Sequence, residues 1–101
     1  MSLHGNSKLN DNPHHLYEVF DKGEDIVFKY GISAEIIRKD GLCKRMRVQL
    51  NLMNLIAGWK RFTIQILIYN IPDRIQARTI EDKHIKAHKA KFGQKPKGNL
   101  R

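Results

Sequence analysis

The chain of 101 residues has a single cysteine, Cys43, so no internal disulfide can staple it and no multi-cysteine zinc site can form. No uninterrupted apolar run approaches the ~20 residues of a membrane helix. The start, MSLHGNSKLN, lacks the apolar stretch of an export signal. Acidic residues are scarce beyond the first third: residues 35–101 hold five of them against sixteen Lys and Arg, whereas residues 1–34 hold five against three lysines. With 41% apolar and 29% charged residues the composition is that of a folded chain. Its length allows one domain with one modest core, and stability has to come from packing. The basic surplus, +9 overall, concentrates polyanions, with nucleic acid foremost and an anionic membrane or an acidic protein behind it.

Residues 1–13 are polar, end at Pro13 and read as an irregular lead-in, leaving 14–101 as a single domain. From His14 to Phe20 and from Ile26 to Ser33, β-branched and aromatic residues flank a turn-forming DKGED segment, which predicts a β-hairpin. From about Leu42 to Ala57 apolar residues recur at helical spacing. Leu42, Met46, Leu50, Met53 and Ala57 form one stripe and Val48, Leu52, Leu55 and Ile56 a second, which predicts a helix buried on more than one side. Arg61 to Asn70 alternates as a third strand, with Phe62, Ile64, Ile66 and Ile68 on one face. Pro72 is placed as a first-turn proline of a second helix, Asp73 through Phe92, stopped by Gly93. The order ββαβα predicts an α+β domain with a small, three-stranded, mainly antiparallel sheet flanked by helices.

Two spacings carry chemistry by themselves. If DKGED is the whole loop, Phe20 pairs with Ile26 and Tyr17 lies opposite Lys29, where an ammonium would lower the pKa of the phenol. A register change of one residue pairs Tyr17 with Tyr30 instead. On the last helix Ala77, Glu81, His84 and His88 share a narrow stripe. Glu81 with the two histidines allows a zinc site only with further donors, Asp40 and Asp73 being the available ones, and satisfied histidines are the commoner outcome. On the first helix Arg45 falls between the two apolar sectors, where it is expected to be the better held arginine, and Arg47 falls on the polar side with Asn51 and Asn54.

The strings HLYEVF and KYGIS, with eleven residues between Tyr17 and Lys29, followed by RMRVQ, IEDKHI and KPKGN, resemble the GIY-YIG/URI nuclease superfamily across nearly the whole chain. Together with HGNS at His4 to Ser7 they are similar to the C-terminal nuclease domains of bacterial polymorphic toxins. Three departures stand out: Lys29 occupies the place of the second motif tyrosine, Gln49 that of a histidine, and an insertion around Ile36 to Gly41 separates Arg45 from Gly31. Arg38 is closer in spacing but precedes the Asp40-Gly41 turn signal.

The resemblance implies a metal-dependent endonuclease that hydrolyses nucleic-acid phosphodiester bonds with one divalent cation, Mg²⁺ or another such as Mn²⁺. In it Tyr17 activates water with help from Lys29 or Tyr30, Arg45 steadies the phosphorane charge, Glu81 holds the metal, and Asn99 positions Glu81 or nearby backbone. Arg47, Lys83, Lys86, Lys89, Lys91, Lys95 and Lys97 are expected to grip the phosphate backbone. The expected partners are DNA ahead of RNA and an acidic immunity protein, with no membrane partner; a third reading, an anionic-membrane or protein-interaction domain, would need an exposed apolar face that the sequence does not force. The expected site of action is the cytoplasm, of a target cell if the domain is delivered within a larger secreted protein. The competing reading is a basic nucleic-acid-binding module that keeps the fold without catalysis.

Overall fold

The computed structural model describes residues 12–99; the HGNS segment and most of the lead-in lie outside them. The elements are β1 (His14–Asp21), β2 (Ile26–Ser33), α1 (Lys44–Ala57), β3 (Phe62–Ile71) and α2 (Arg74–Phe92). The sheet is antiparallel throughout, in the order β2-β1-β3, as the ββαβα reading predicts.

The hairpin turn is shorter than DKGED. Asp21 still belongs to β1 and pairs with Ile26, while its carboxylate accepts from the N–H groups of Gly23 (2.8 Å) and Glu24 (3.2 Å). Phe28 is then bulged out between Val27 and Lys29, so Val19 faces Lys29 and Tyr17 faces Gly31. The expected pairing of Tyr17 with Lys29 is therefore off by two residues. Because strand side chains alternate with a period of two, that error preserves the face: Lys29 stays on the side of Tyr17, as a diagonal neighbour.

Alternation also separates the core into two halves. Tyr17, Val19 and Ile66 pack with Leu42, Cys43, Met46 and Leu50 of α1 and the segment before it. Leu16 and Ile71 pack with Ala77 of α2 on the other face. β3 carries an extra residue, Leu67, between the partners of Leu16 and Tyr17. This bulge moves Ile68 into the α2 half, away from the face of Phe62, Ile64 and Ile66 on which the sequence pattern had placed it.

α1 starts two residues later than its apolar pattern. Cys43 offers no side-chain cap, and the Glu35 carboxylate instead accepts from the N–H of Arg45 (3.1 Å). Gly58, in the left-handed region at φ 82°, ends the helix by donating to the Asn54 and Leu55 carbonyls. Only one side of α1 is buried; Val48, Leu52, Leu55 and Ile56 are exposed, contrary to the expected second buried sector. At α2, Asp73 is the cap and accepts from the Gln76 N–H (2.8 Å), so Pro72 lies just outside the first turn. Beyond α2 the chain returns to the free edge of β2, where Gly98 donates to the Phe28 carbonyl (2.7 Å).

Candidate active site

At that edge lies a cleft of about 640 Å³, and its walls include all six residues assigned to catalysis from sequence: Tyr17, Lys29, Tyr30, Arg45, Glu81 and Asn99. They come from both hairpin strands, both helices and the C-terminal segment. Tyr17 is 4% exposed, with its ring lying across Gly31; a side chain at position 31 would collide with the phenol end. That contact explains a glycine at the end of the KYG string. Asn99 forms a two-way clasp, its Oδ1 accepting from the Tyr30 N–H and its Nδ2 donating to the Tyr30 carbonyl, both at 2.9 Å. Asn99 thus holds the backbone of Tyr30 in place.

Glu81 is 3% exposed and lines the cleft from α2. Ala77, one turn before it, is packed into the core with Leu16 and Ile71. The histidines of the same stripe have structural partners. His84 Nδ1 lies 2.9 Å from the Ile80 carbonyl, and the Tyr30 ring, turned to this side of the sheet, sits 5.3 Å from His84 and 6.4 Å from His88 between ring centroids. Among the described residues no three His, Cys, Asp or Glu converge as a metal-binding group, so the Glu81-His84-His88 zinc arrangement is absent there. A single buried carboxylate on a cleft wall suits a different cation. Mg²⁺ and Mn²⁺ are hard ions that can keep several waters and take remaining ligands from phosphate, so one carboxylate is a sufficient protein donor.

Electrostatics in the cleft run against the expected activation of Tyr17. Burial raises its pKa; Arg45 pulls it down, while Cys43 and Glu81 push it further up. The cation acting on the phenol is thus Arg45 rather than Lys29, and it does not overcome burial. Lys29 moves the other way: burial and the nearby Arg45 lower its pKa, opposed by Glu81. Tyr30 is raised by burial and by Glu18.

The two helix-one arginines separate in space as their angular positions require, but the held one is Arg47. Its Nε and Nη2 donate to Asp40 Oδ2 at 2.9 and 2.7 Å, whereas Arg45 is exposed and reaches the cleft. Neither Arg47 nor Lys83, Lys86, Lys89, Lys91, Lys95 and Lys97 lines the cleft. Two residues that sequence reasoning missed do: Arg74 and Arg78. Their signal was present, since residues 74, 78 and 81 share a helical face.

The ββαβα frame with its antiparallel β2-β1-β3 sheet is the architecture expected of a domain of the URI type. The chain belongs to the family URI fold toxin 2, whose model matches residues 7–93. Comparison with curated proteins and with solved structures returned no match.

Proposed function

We propose that this toxin domain is an endonuclease that hydrolyses phosphodiester bonds in nucleic acid, with DNA as its principal substrate. The observation that carries this reading is the convergence in one cleft of a buried carboxylate, Glu81, with a phenol, Tyr17, an amine, Lys29, and three guanidinium groups, Arg45, Arg74 and Arg78. Burial and the neighbouring Arg45 disfavour the charge on Lys29, which favours its neutral amine. Glu81 would hold Mg²⁺ or Mn²⁺, which supplies Lewis-acid neutralisation of charge on the leaving oxygen. The Arg45 guanidinium, free of the Asp40 pairing that occupies Arg47, stabilises the extra negative charge of the pentavalent phosphorus through two donors. Burial keeps Tyr17 a phenol, so its hydroxyl orients the attacking water and relays its proton. Lys29, on the same face and more readily deprotonated than an ordinary lysine, receives that proton in place of the family's second tyrosine. Arg74 and Arg78 hold flanking phosphates, and the lysines of α2 and the following segment extend the grip without reading sequence. An acidic immunity protein is the expected neutralising partner of so basic a domain, and the cytoplasm of a target cell its place of action.

The test is incubation of the purified domain with plasmid DNA and with total RNA, in Mg²⁺, in Mn²⁺ and in EDTA. Metal-dependent nicking of DNA that the Glu81→Gln variant lacks is the expected result. Salt-dependent binding of DNA with no cleavage under any condition would instead establish the domain as a binding module.

A further inference from the structure

The outward side of α1 is a continuous apolar ridge. Val48, Leu52, Leu55 and Ile56 fall within about 100° of the helix circumference, and Trp59 follows just past the cap. Their exposures are 58%, 55%, 77%, 78% and 53%. None of them is needed by the cleft. A ridge of five large apolar residues at one place is more than the scattered exposure of an ordinary surface.

The charge around the ridge narrows what can cover it. From Gly41 to Pro72 there is no acidic residue at all, and five basic ones, Lys44, Arg45, Arg47, Lys60 and Arg61. Arg47 and Arg61 are paired to Asp40 and Asp21. Lys44 and Lys60, one at each end of the ridge, make no ion pair among the described residues. A second copy would bring the same lysines together, and the carboxylates nearest Lys44, those of Glu35 and Asp40, are already engaged by the Arg45 N–H and the Arg47 guanidinium. Nucleic acid would gain nothing from branched aliphatic side chains, which offer no stacking surface. An apolar, convex ridge with ammonium groups at both ends and an indole at one fits the boundary of an anionic bilayer, where aliphatic residues enter the acyl region, lysines reach phosphates, and tryptophan sits at the headgroup level.

We infer that the outward face of α1, from Lys44 to Lys60, is a docking surface for an anionic lipid membrane. This surface is independent of the phosphodiesterase reading, since none of Val48, Leu52, Leu55, Ile56, Trp59, Lys44 and Lys60 lines the cleft. Trp59 is the only tryptophan in the chain, so its fluorescence reports on the ridge directly. The full domain is titrated with phosphatidylglycerol/phosphatidylcholine vesicles and with pure phosphatidylcholine vesicles. Expected are a saturable blue shift and protection of Trp59 from acrylamide on the anionic vesicles, with affinity on the order of a hundredfold lower on the zwitterionic ones. Leu55→Asn/Ile56→Asn should weaken binding at least about tenfold with an unchanged circular dichroism spectrum, and Lys44→Gln/Lys60→Gln should weaken it with Trp59 still shifting at saturation. The proposal is overturned if the protein adsorbs with Trp59 still open to acrylamide, or if the Leu55/Ile56 variant binds as well as the parent, since either is adsorption through the basic surface alone. It is equally overturned if Trp59 becomes shielded without lipid in step with dimerisation in sedimentation, or if no vesicle binds, which would leave a protein as the occupant.

Discussion

Arg61 and Arg45 are set in opposite surroundings. At the hairpin turn, Arg61 donates from Nε and Nη2 to the two oxygens of Asp21 at 2.7 and 2.9 Å, and the same carboxylate accepts two turn N–H groups. Donors and acceptors there answer one another, and the result is a corner that ties the end of β1 to the start of β3. At the cleft, Arg45 lies close enough to Lys29 to disfavour its charge, next to a buried carboxylate and a buried phenol. Satisfied charge marks scaffold, whereas basic groups crowded together so that one loses its charge readily mark a place built for chemistry. Arg47 repeats the lesson on the same helix as Arg45: its fork is filled by Asp40, and it is the arginine outside the cleft.

The contrast is sharpest at Glu81, where Glu81→Gln should abolish cleavage while DNA binding in a gel-shift assay persists; substantial Mg²⁺-dependent nicking by this variant would remove the carboxylate from the mechanism. Arg45→Ala should lower turnover by roughly 10²–10³-fold, the scale for one transition-state donor, with Arg47→Ala near the parent rate. A selective defect in Arg47→Ala or Arg38→Ala would reverse the assignment of scaffold and site. Gly31→Ala should cost turnover on the order of tenfold by displacing the Tyr17 ring, with the unfolding midpoint changing less than the rate; equal turnover would show that the ring position is not used.

Subtler is the pH dependence. The lowered pKa of Lys29 predicts a cleavage rate that rises with pH through a value below the ordinary lysine range, a limb that Lys29→Met should lose. At the corner the effect is on stability alone. Hydrogen bonding from Arg61 depresses the Asp21 pKa in the folded state, so its contribution is fully present above the unfolded carboxylate value of about 4 and is lost as pH falls through the folded value. Asp21→Asn should flatten that acid limb of the unfolding midpoint and leave the cleavage rate at neutral pH unchanged.

Element order and the six residues of the cleft were readable because they rest on patterns that tertiary structure respects: β-branched alternation, helical stripes, capping residues and motif order. What could not be read turns on single inserted residues. The shorter turn and the bulge at Phe28 each moved the partner of Tyr17 by one residue, from Lys29 to Gly31, and the bulge at Leu67 turned Ile68 to the other face; neither bulge carries a glycine or proline to announce it. Burial was misjudged on α1 for another reason. Hydrophobicity at Val48, Leu52, Leu55 and Ile56 is periodic whether the face meets a core or a partner, and with three strands the sheet covers only one side of the helix. Arg74 and Arg78 lie in a helical sector beside the stripe of Ala77, His84 and His88, so that stripe does not reveal them.

The Asn99 clasp has a consequence in time as well as in space. It joins residues 69 positions apart, whereas the hairpin carrying Tyr17 and Lys29 closes over a four-residue turn. Contacts so far apart in sequence lose more chain entropy on closing and tend to form after local ones. The hairpin can therefore exist early while the cleft wall at Tyr30 is still missing. Release of Asn99 from Tyr30 reopens that wall without unfolding either helix, so competence to cut is expected to be gained late on the folding path and lost first under mild denaturant.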